Sequence, residues 1–113
     1  MDTEQNQIPG LAVSVKCLSE LLQYQDGGIV SRVLLKNNGG TVTVFAFDAD
    51  SGLSEHTAPF DALVLGIEGE AEIVIDGTGF LVAQGETITL PANIPHAVKA
   101  LTKFKMVLIM IRA

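Results

Sequence analysis

Gly85-Glu86-Thr87-Ile88-Thr89-Leu90-Pro91-Ala92-Asn93-Ile94-Pro95-His96 is the stretch that decides the fold. It opens on a glycine, alternates polar and apolar residues from Thr87 to Leu90, and then turns between two prolines to reach a histidine. Period-two alternation marks a strand with one buried face, and a proline cannot donate to a sheet ladder, so the strand has to stop at Leu90. An earlier run behaves in the same way: Ala71, Ile73 and Ile75 share one face, while Glu70, Glu72 and Asp76 share the other. Between that run and the next, Asp76-Gly77 can supply the positive torsions of a tight hairpin, which pairs 71–75 with the strand from Phe80.

The same punctuation extends outward over the chain. Segments 29–36, 41–48, 62–68, 71–76, 79–83, 86–90, 96–100 and 104–111 are rich in Val, Ile, Thr and Phe, and most are bounded by Gly, Pro, Asn or Asp. Many short strands joined by turns predict an all-β sandwich or barrel. One helical turn is expected over 17–22, where Leu18, Leu21 and Leu22 have i, i+3, i+4 spacing. The expected organisation is a single domain, with residues 1–27 as an N-terminal segment whose short helix packs on a barrel formed by 28–113. The last strand is apolar on both faces, with Phe104, Met106, Leu108 and Met110 on one and Val107, Ile109 and Ile111 on the other. The second face calls for a subunit contact, hence a homodimer, or for cover by the N-terminal segment.

Composition narrows the function classes. A chain of 113 residues holds one core, and 48% hydrophobic against 18% charged residues describes a compact globule. A formal net charge of −6 repels phosphate backbones and anionic membrane surfaces, so nucleic acid and membrane are not expected partners. The Lys and Arg residues are scattered and read as solvated strand faces and ends. Cys17 has no second cysteine to pair with and reads as a small buried hydrophobe. Its solitude points to a reducing compartment. The opening residues are polar and acidic, unlike a signal peptide, and no apolar run approaches ~18 residues, so the expected location is cytoplasmic.

The chemistry-bearing residues gather in two places. His56, one of only two histidines, sits in Ser54-Glu55-His56-Thr57-Ala58-Pro59-Phe60-Asp61 beside two carboxylates, and His96 ends the stretch quoted first. Histidines on separate strands can meet across a barrel interior, and paired imidazoles bind divalent transition metals. Strand alternation would point His56, Ala58, Phe60 and Ala62 one way and leave Glu55 and Asp61 on the other face, unless a bulge at Pro59 swings Asp61 inward. Asp61 and Glu55 are thus the candidate third ligands. Tyr24, the Met residues and the Phe residues read as core or interface, with Phe45, Phe47, Phe60 and Met106 as possible pocket walls.

The two stretches resemble the two motifs of a small single-domain cupin of the conserved-barrel type. The second motif, G-x5-P-x-G-x2-H-x3-N, is matched by Gly85, Pro91 and His96, with Asn93 at its inner glycine and Ala100 at its final asparagine. The first, G-x5-H-x-H-x3,4-E-x6-G, is matched by His56 and Gly69 but departs at Asp50, Ala58 and Ala62, which stand at the opening glycine, second histidine and glutamate. The resemblance covers roughly residues 30–111 and implies a jelly roll of six to eight strands, commonly dimeric, with a pocket in the barrel. It also implies a site that keeps two of the usual three imidazoles and loses the carboxylate.

Two functions follow. One is a binding cupin holding a small organic ligand, and a weakly bound Fe, Mn, Ni or Zn, at His56 and His96. The other is a metal-dependent enzyme, a dioxygenase or isomerase, in which His56 and His96 plus water or Asp61 hold the ion.

Overall fold

The computed structural model describes residues 7–8 and 11–112, with side chains from residue 13 onward. Met1, read above with the core or interface methionines, lies outside the described residues. Two short strands, β1 (Gln7–Ile8) and β2 (Leu11–Ala12), pair with each other alone. The remaining strands are β3 (Ile29–Asn37), β4 (Gly40–Phe47), β5 (Gly52–His56), β6 (Asp61–Glu68), β7 (Glu70–Ile75), β8 (Thr78–Ala83), β9 (Thr87–Leu90), β10 (His96–Ala100) and β11 (Phe104–Ile111). They form a four-stranded sheet in the order β5-β10-β7-β8 and a five-stranded sheet in the order β3-β4-β11-β6-β9, every pairing antiparallel. The all-β jelly-roll expectation stands, with more strands than the six to eight implied by the resemblance. The added strands are the short β1 and β2 and, in the four-stranded sheet, β5, whose polar Ser54-Glu55-His56 gave no alternating signal.

The turn chemistry works as the residues predict. Asp76 (φ 49°) and Gly77 (φ 81°) close the β7–β8 hairpin, so Ile75 pairs with Thr78. Among the other left-handed turn positions are four that matter to the motifs: Asp50 (φ 69°), Gly69 (φ 78°), Gly85 (φ 82°) and Asn93 (φ 63°). All four are glycine positions of the two motifs. Aspartate and asparagine tolerate this conformation better than other side chains, so the departures at 50 and 93 preserve the backbone path.

The helical expectation over 17–22 reduces to a single 3-10 turn, Leu18–Glu20, with no side-chain cap at Cys17. A lone turn has too few internal hydrogen bonds to persist by itself, and tertiary contacts hold it. Leu22 is buried and Leu21 and Tyr24 half-buried against Val44, Ala46 and Val107, on the outer face of the five-stranded sheet. The N-terminal segment therefore covers part of the second apolar face of β11. The far end of that face stays open, with Leu35 53% and Ile111 59% exposed.

Two readings of single residues are corrected here. Lys105 is buried, 6% exposed, not solvated. It shares the outer face of β11 with Val107 and Ile109, so the segment packed there also buries the lysine. Its ammonium donates to the Ser19 carbonyl at 2.6 Å, lies 3.4 Å from Glu68 and sits 4.7 Å over the Tyr24 ring. Cys17, expected inside, is exposed, because the 3-10 turn sends Leu22 inward instead.

Between the sheets lies the main core. Phe47, Phe104, Ile73, Met106 and Val64 are fully buried there. Each such side chain contributes about 1.5–3 kcal/mol by leaving water. Among the described residues no helix is long and apolar enough to cross a membrane.

Candidate functional site

Cross-strand register builds the site. At one end of the sandwich, His56, His96, Ile75 and Thr78 form a row across the four-stranded sheet, from β5 through β10 and β7 to β8. Lys36, Thr41, Met110, Ala62 and Leu90 form a row across the five-stranded sheet, from β3 to β9. Ile75, Met110, Ala62 and Leu90 pack in one cluster, so the rows line one interior. Two short connections join them, His56 to Ala62 and Leu90 to His96. Those connections are tied together: the Asn93 amide donates to the Ala58 carbonyl at 2.8 Å, and the Ala92 amide to the Asp61 carboxylate at 2.9 Å.

The histidines meet, but not across the interior. They are direct cross-strand partners in one sheet, on β5 and β10. Between the pairs His96↔His56 and Val98↔Leu53, β10 advances two residues and β5 advances three. The extra residue is a bulge at Ser54-Glu55, and it puts Leu53 and His56 on the same inward face although their numbers differ by an odd count. The parity shift sought at Pro59 thus occurs upstream of His56. Pro59 itself lies in the bend between β5 and β6.

Hydrogen bonding fixes the rings. His56 Nδ1 is 2.8 Å from the Ser54 carbonyl and His96 Nδ1 is 3.3 Å from the Ile94 carbonyl. A carbonyl only accepts, so in these contacts each Nδ1 carries the proton, and in the neutral ring Nε2 is then the acceptor. The two Nε2 atoms lie 3.1 Å apart, with ring centroids at 4.4 Å. Burial pushes His96 below its ordinary imidazole value, the Ile94 carbonyl opposes the shift, and the neighbouring His56 charge adds to it. A neutral His96 is the form that can ligate. Ligands each about 2.0–2.1 Å from one ion and 3.1 Å apart subtend about 95–102°, so this donor pair fits two neighbouring positions on a divalent transition metal.

A third ligand does not join them. Among the described residues no group of three His, Cys, Asp or Glu side chains is placed to hold an ion. Asp61 has its carboxylate on the Ala92 amide, where it holds the turn leading to His96. Glu55 is exposed on the bulge. Ala58 and Ala62 bring no donor atom where the motif has histidine and glutamate.

The expected pocket walls are distributed differently. Phe47 and Met106 are wholly inside the core, with Phe45 stacked on Phe47 at 5.8 Å, so they form the floor beneath the site. Phe60 borders a cavity of 220 Å³ shared with Lys36, Gly40, Thr41, Met110 and Arg112. Sequence reasoning missed the larger opening, of 560 Å³, between the edge strands β8 and β9. Ile75, Phe80, Val82, Ile88 and Pro91 give it apolar walls, and Thr78, Glu86, Thr87 and Thr89 its polar groups. Phe80, 43% exposed on the inward face of β8, was the available signal.

A two-sheet jelly roll with paired histidines on adjacent strands at its open end is the architecture of a cupin. The family model described as a cupin domain matches residues 41–112, and the chain belongs to that family. A conserved protein of unknown function from Streptococcus pyogenes is 35% identical over 88% of each chain, with a TM-score of 0.85. A cupin 2 conserved barrel domain protein from Leptotrichia buccalis is 42% identical with a TM-score of 0.81, over 83% of this chain and 46% of that one. A cupin superfamily protein from Desulfitobacterium hafniense is 25% identical over 85% of this chain and 88% of its own, with a TM-score of 0.82. No curated protein matches the sequence.

Proposed function

We propose that the chain is a small-molecule-binding cupin in which His56 and His96 anchor the ligand and hold a divalent metal weakly. One observation carries this reading: the two Nε2 atoms face each other at 3.1 Å while both Nδ1 atoms lie against backbone carbonyls, so in neutral rings two lone pairs meet. Facing lone pairs repel, and a metal ion or a ligand donor placed between them relieves the repulsion. With two protein ligands the affinity is modest, and the remaining positions are open to water or ligand atoms. A metal-dependent dioxygenase or isomerase would draw on the same pair, but its third protein ligand has no counterpart among the described residues.

Metal analysis of protein purified without chelator, followed by titration with Zn²⁺, Ni²⁺, Mn²⁺ and Fe²⁺, tests the reading. Substoichiometric metal as isolated, saturable binding on titration and its loss in the His56→Ala, His96→Ala double variant are expected. Tight stoichiometric metal that survives the double variant sinks it. We also propose a homodimer through the uncovered end of the five-stranded sheet, supported by exposed Leu35 and Ile111 on that outer face. Light scattering should give the dimer mass for the parent and the monomer mass for Ile111→Asp. A monomeric parent removes the dimer.

A further inference from the structure

The cavity on the β3–β4 side of the open end has a chemistry that the histidine pair does not use. Lys36, Thr41 and Met110 reach it from the inner-face row, Phe60 from the bend before β6, and Arg112 from the end of β11. Two of the chain's seven Lys and Arg residues therefore stand together, in a protein whose formal net charge is −6. Among the described residues the only ion pair is Lys105–Glu68, so no carboxylate of those residues pairs with either cation. The Arg112 guanidinium lies 5.2 Å over the Phe60 ring, which fixes its plane and leaves its edge donors free to point into the cavity.

Thr41 adds a second kind of observation. Its hydroxyl is the one buried side-chain polar atom without a hydrogen-bond partner among the described residues. A buried polar group without a partner is unusual enough to need a cause, and a site kept ready for a ligand is one. The cavity's 220 Å³ corresponds to about seven water volumes at ~30 Å³ each, the scale of a small organic acid.

We propose that this cavity is the subsite for the carboxylate of a small organic acid. Arg112 and Lys36 supply the charge and the Thr41 hydroxyl a further donor. The organic part lies against Phe60 and Met110 and extends along the row toward Ala62, facing the histidine pair. A planar two-oxygen anion matches one guanidinium edge, and the apolar part of the wall favours an organic acid over inorganic phosphate. The inference rests on the small-molecule reading above and gives that ligand its charge class.

Acetate, pyruvate and benzoate at millimolar concentration are the probes, followed by NMR of the full chain, with benzamide and inorganic phosphate as controls. At least one acid should shift the signals of Thr41, Met110 and Arg112, more strongly than either control. Arg112→Gln should weaken that acid about tenfold or more, the usual consequence of losing a charge-assisted hydrogen bond. Thr41→Val should weaken it too while raising the melting temperature of the ligand-free protein, because it removes an unpaired buried hydroxyl. Benzamide or phosphate binding as well as the acid overturns the assignment, as does unchanged affinity in Arg112→Gln. Absence of acid binding while Ni²⁺ still titrates at His56 and His96 overturns the subsite and leaves the small-molecule reading standing. Absence of both overturns both.

Discussion

Two polar clusters lie at opposite ends of the sandwich, one on the outer face of the five-stranded sheet and one in the four-stranded sheet at its open end, and they are built on opposite rules. On the outer face, Lys105, Glu68, Tyr24 and the Ser19 carbonyl form a closed set: the ammonium has an acceptor, a carboxylate and a ring face, and the Tyr24 hydroxyl donates to Glu68. At the open end, exposed His56 and buried His96 set Nδ1 against their own backbone carbonyls and, as neutral rings, turn two acceptors toward each other. A satisfied buried network rigidifies what it joins, whereas an unsatisfied one is a place where something can be added. The first cluster fastens the N-terminal segment to the sheet, and the second is available to a ligand.

The comparison breaks first at Lys105. Lys105→Ala removes the group on which the outer cluster converges and leaves Glu68, a side chain 35% exposed, without its cation. Breaking a buried pair costs about 3–5 kcal/mol, and partial solvation of Glu68 lowers the expected loss to about 2 kcal/mol. Chemical denaturation should show this loss, together with proteolytic cleavage in 13–27 that the parent resists. If Lys105→Ala unfolds at the parent's denaturant midpoint, the cluster is not the fastening.

Tyr24→Phe asks a finer question. The Tyr24 hydroxyl, more than Lys105, holds the Glu68 carboxyl below its ordinary value, against the opposing effect of burial. A carboxylate with a lowered folded value adds stability that is present above its ordinary range and is lost as pH falls through the lowered value. Tyr24→Phe should therefore move the acid-unfolding midpoint to higher pH. The Tyr24 phenol, raised first by burial and then by its bond to Glu68, has the reverse sign. Its contribution is complete below the ordinary tyrosine value and fades as pH rises beyond it, so the variant should also flatten the alkaline limb. With Glu68 partly solvated, the acid shift corresponds to less than about 1 kcal/mol. Coincident pH–stability curves for parent and variant would show that the hydrogen bond contributes nothing.

The two clusters also differ in how far they can be read from residues alone. Both histidines were visible, because each follows a strand and turn whose punctuation is written in Gly, Pro and Asn. Their relation was not: whether His56 faces in depends on one extra residue at Ser54-Glu55, and an edge strand with exposed polar residues shows no alternation from which to find it. Asp61 was ambiguous for the same reason; its carboxylate accepts from the Ala92 amide in the turn before His96. The β7–β8 hairpin was fully legible, since alternation and turn residues agreed. Lys105 was half legible. It interrupts the outer face of an otherwise two-faced apolar strand, but Ser19 and Glu68, which make its burial tolerable, lie on other elements.

The smallest expected effect sharpens the comparison from the side of the backbone. Asp50 and Asn93 occupy left-handed positions where the family motifs carry glycine, and Asn93 lies in the turn that delivers His96. Glycine adopts that conformation freely, but it also gains freedom in the unfolded chain. The two effects nearly cancel, so Asn93→Gly should change stability by less than about 0.5 kcal/mol, whereas Asn93→Ala, with a Cβ and no polar side chain, should cost about 1 kcal/mol. Metal titration separates the backbone from the donors: Asn93→Gly should bind as the parent does, because the Asn93 amide still donates to the Ala58 carbonyl. If Asn93→Gly keeps its stability but loses Ni²⁺ binding, the asparagine side chain itself orders His96, and the departure from the motif belongs to the site and not to the path of the chain.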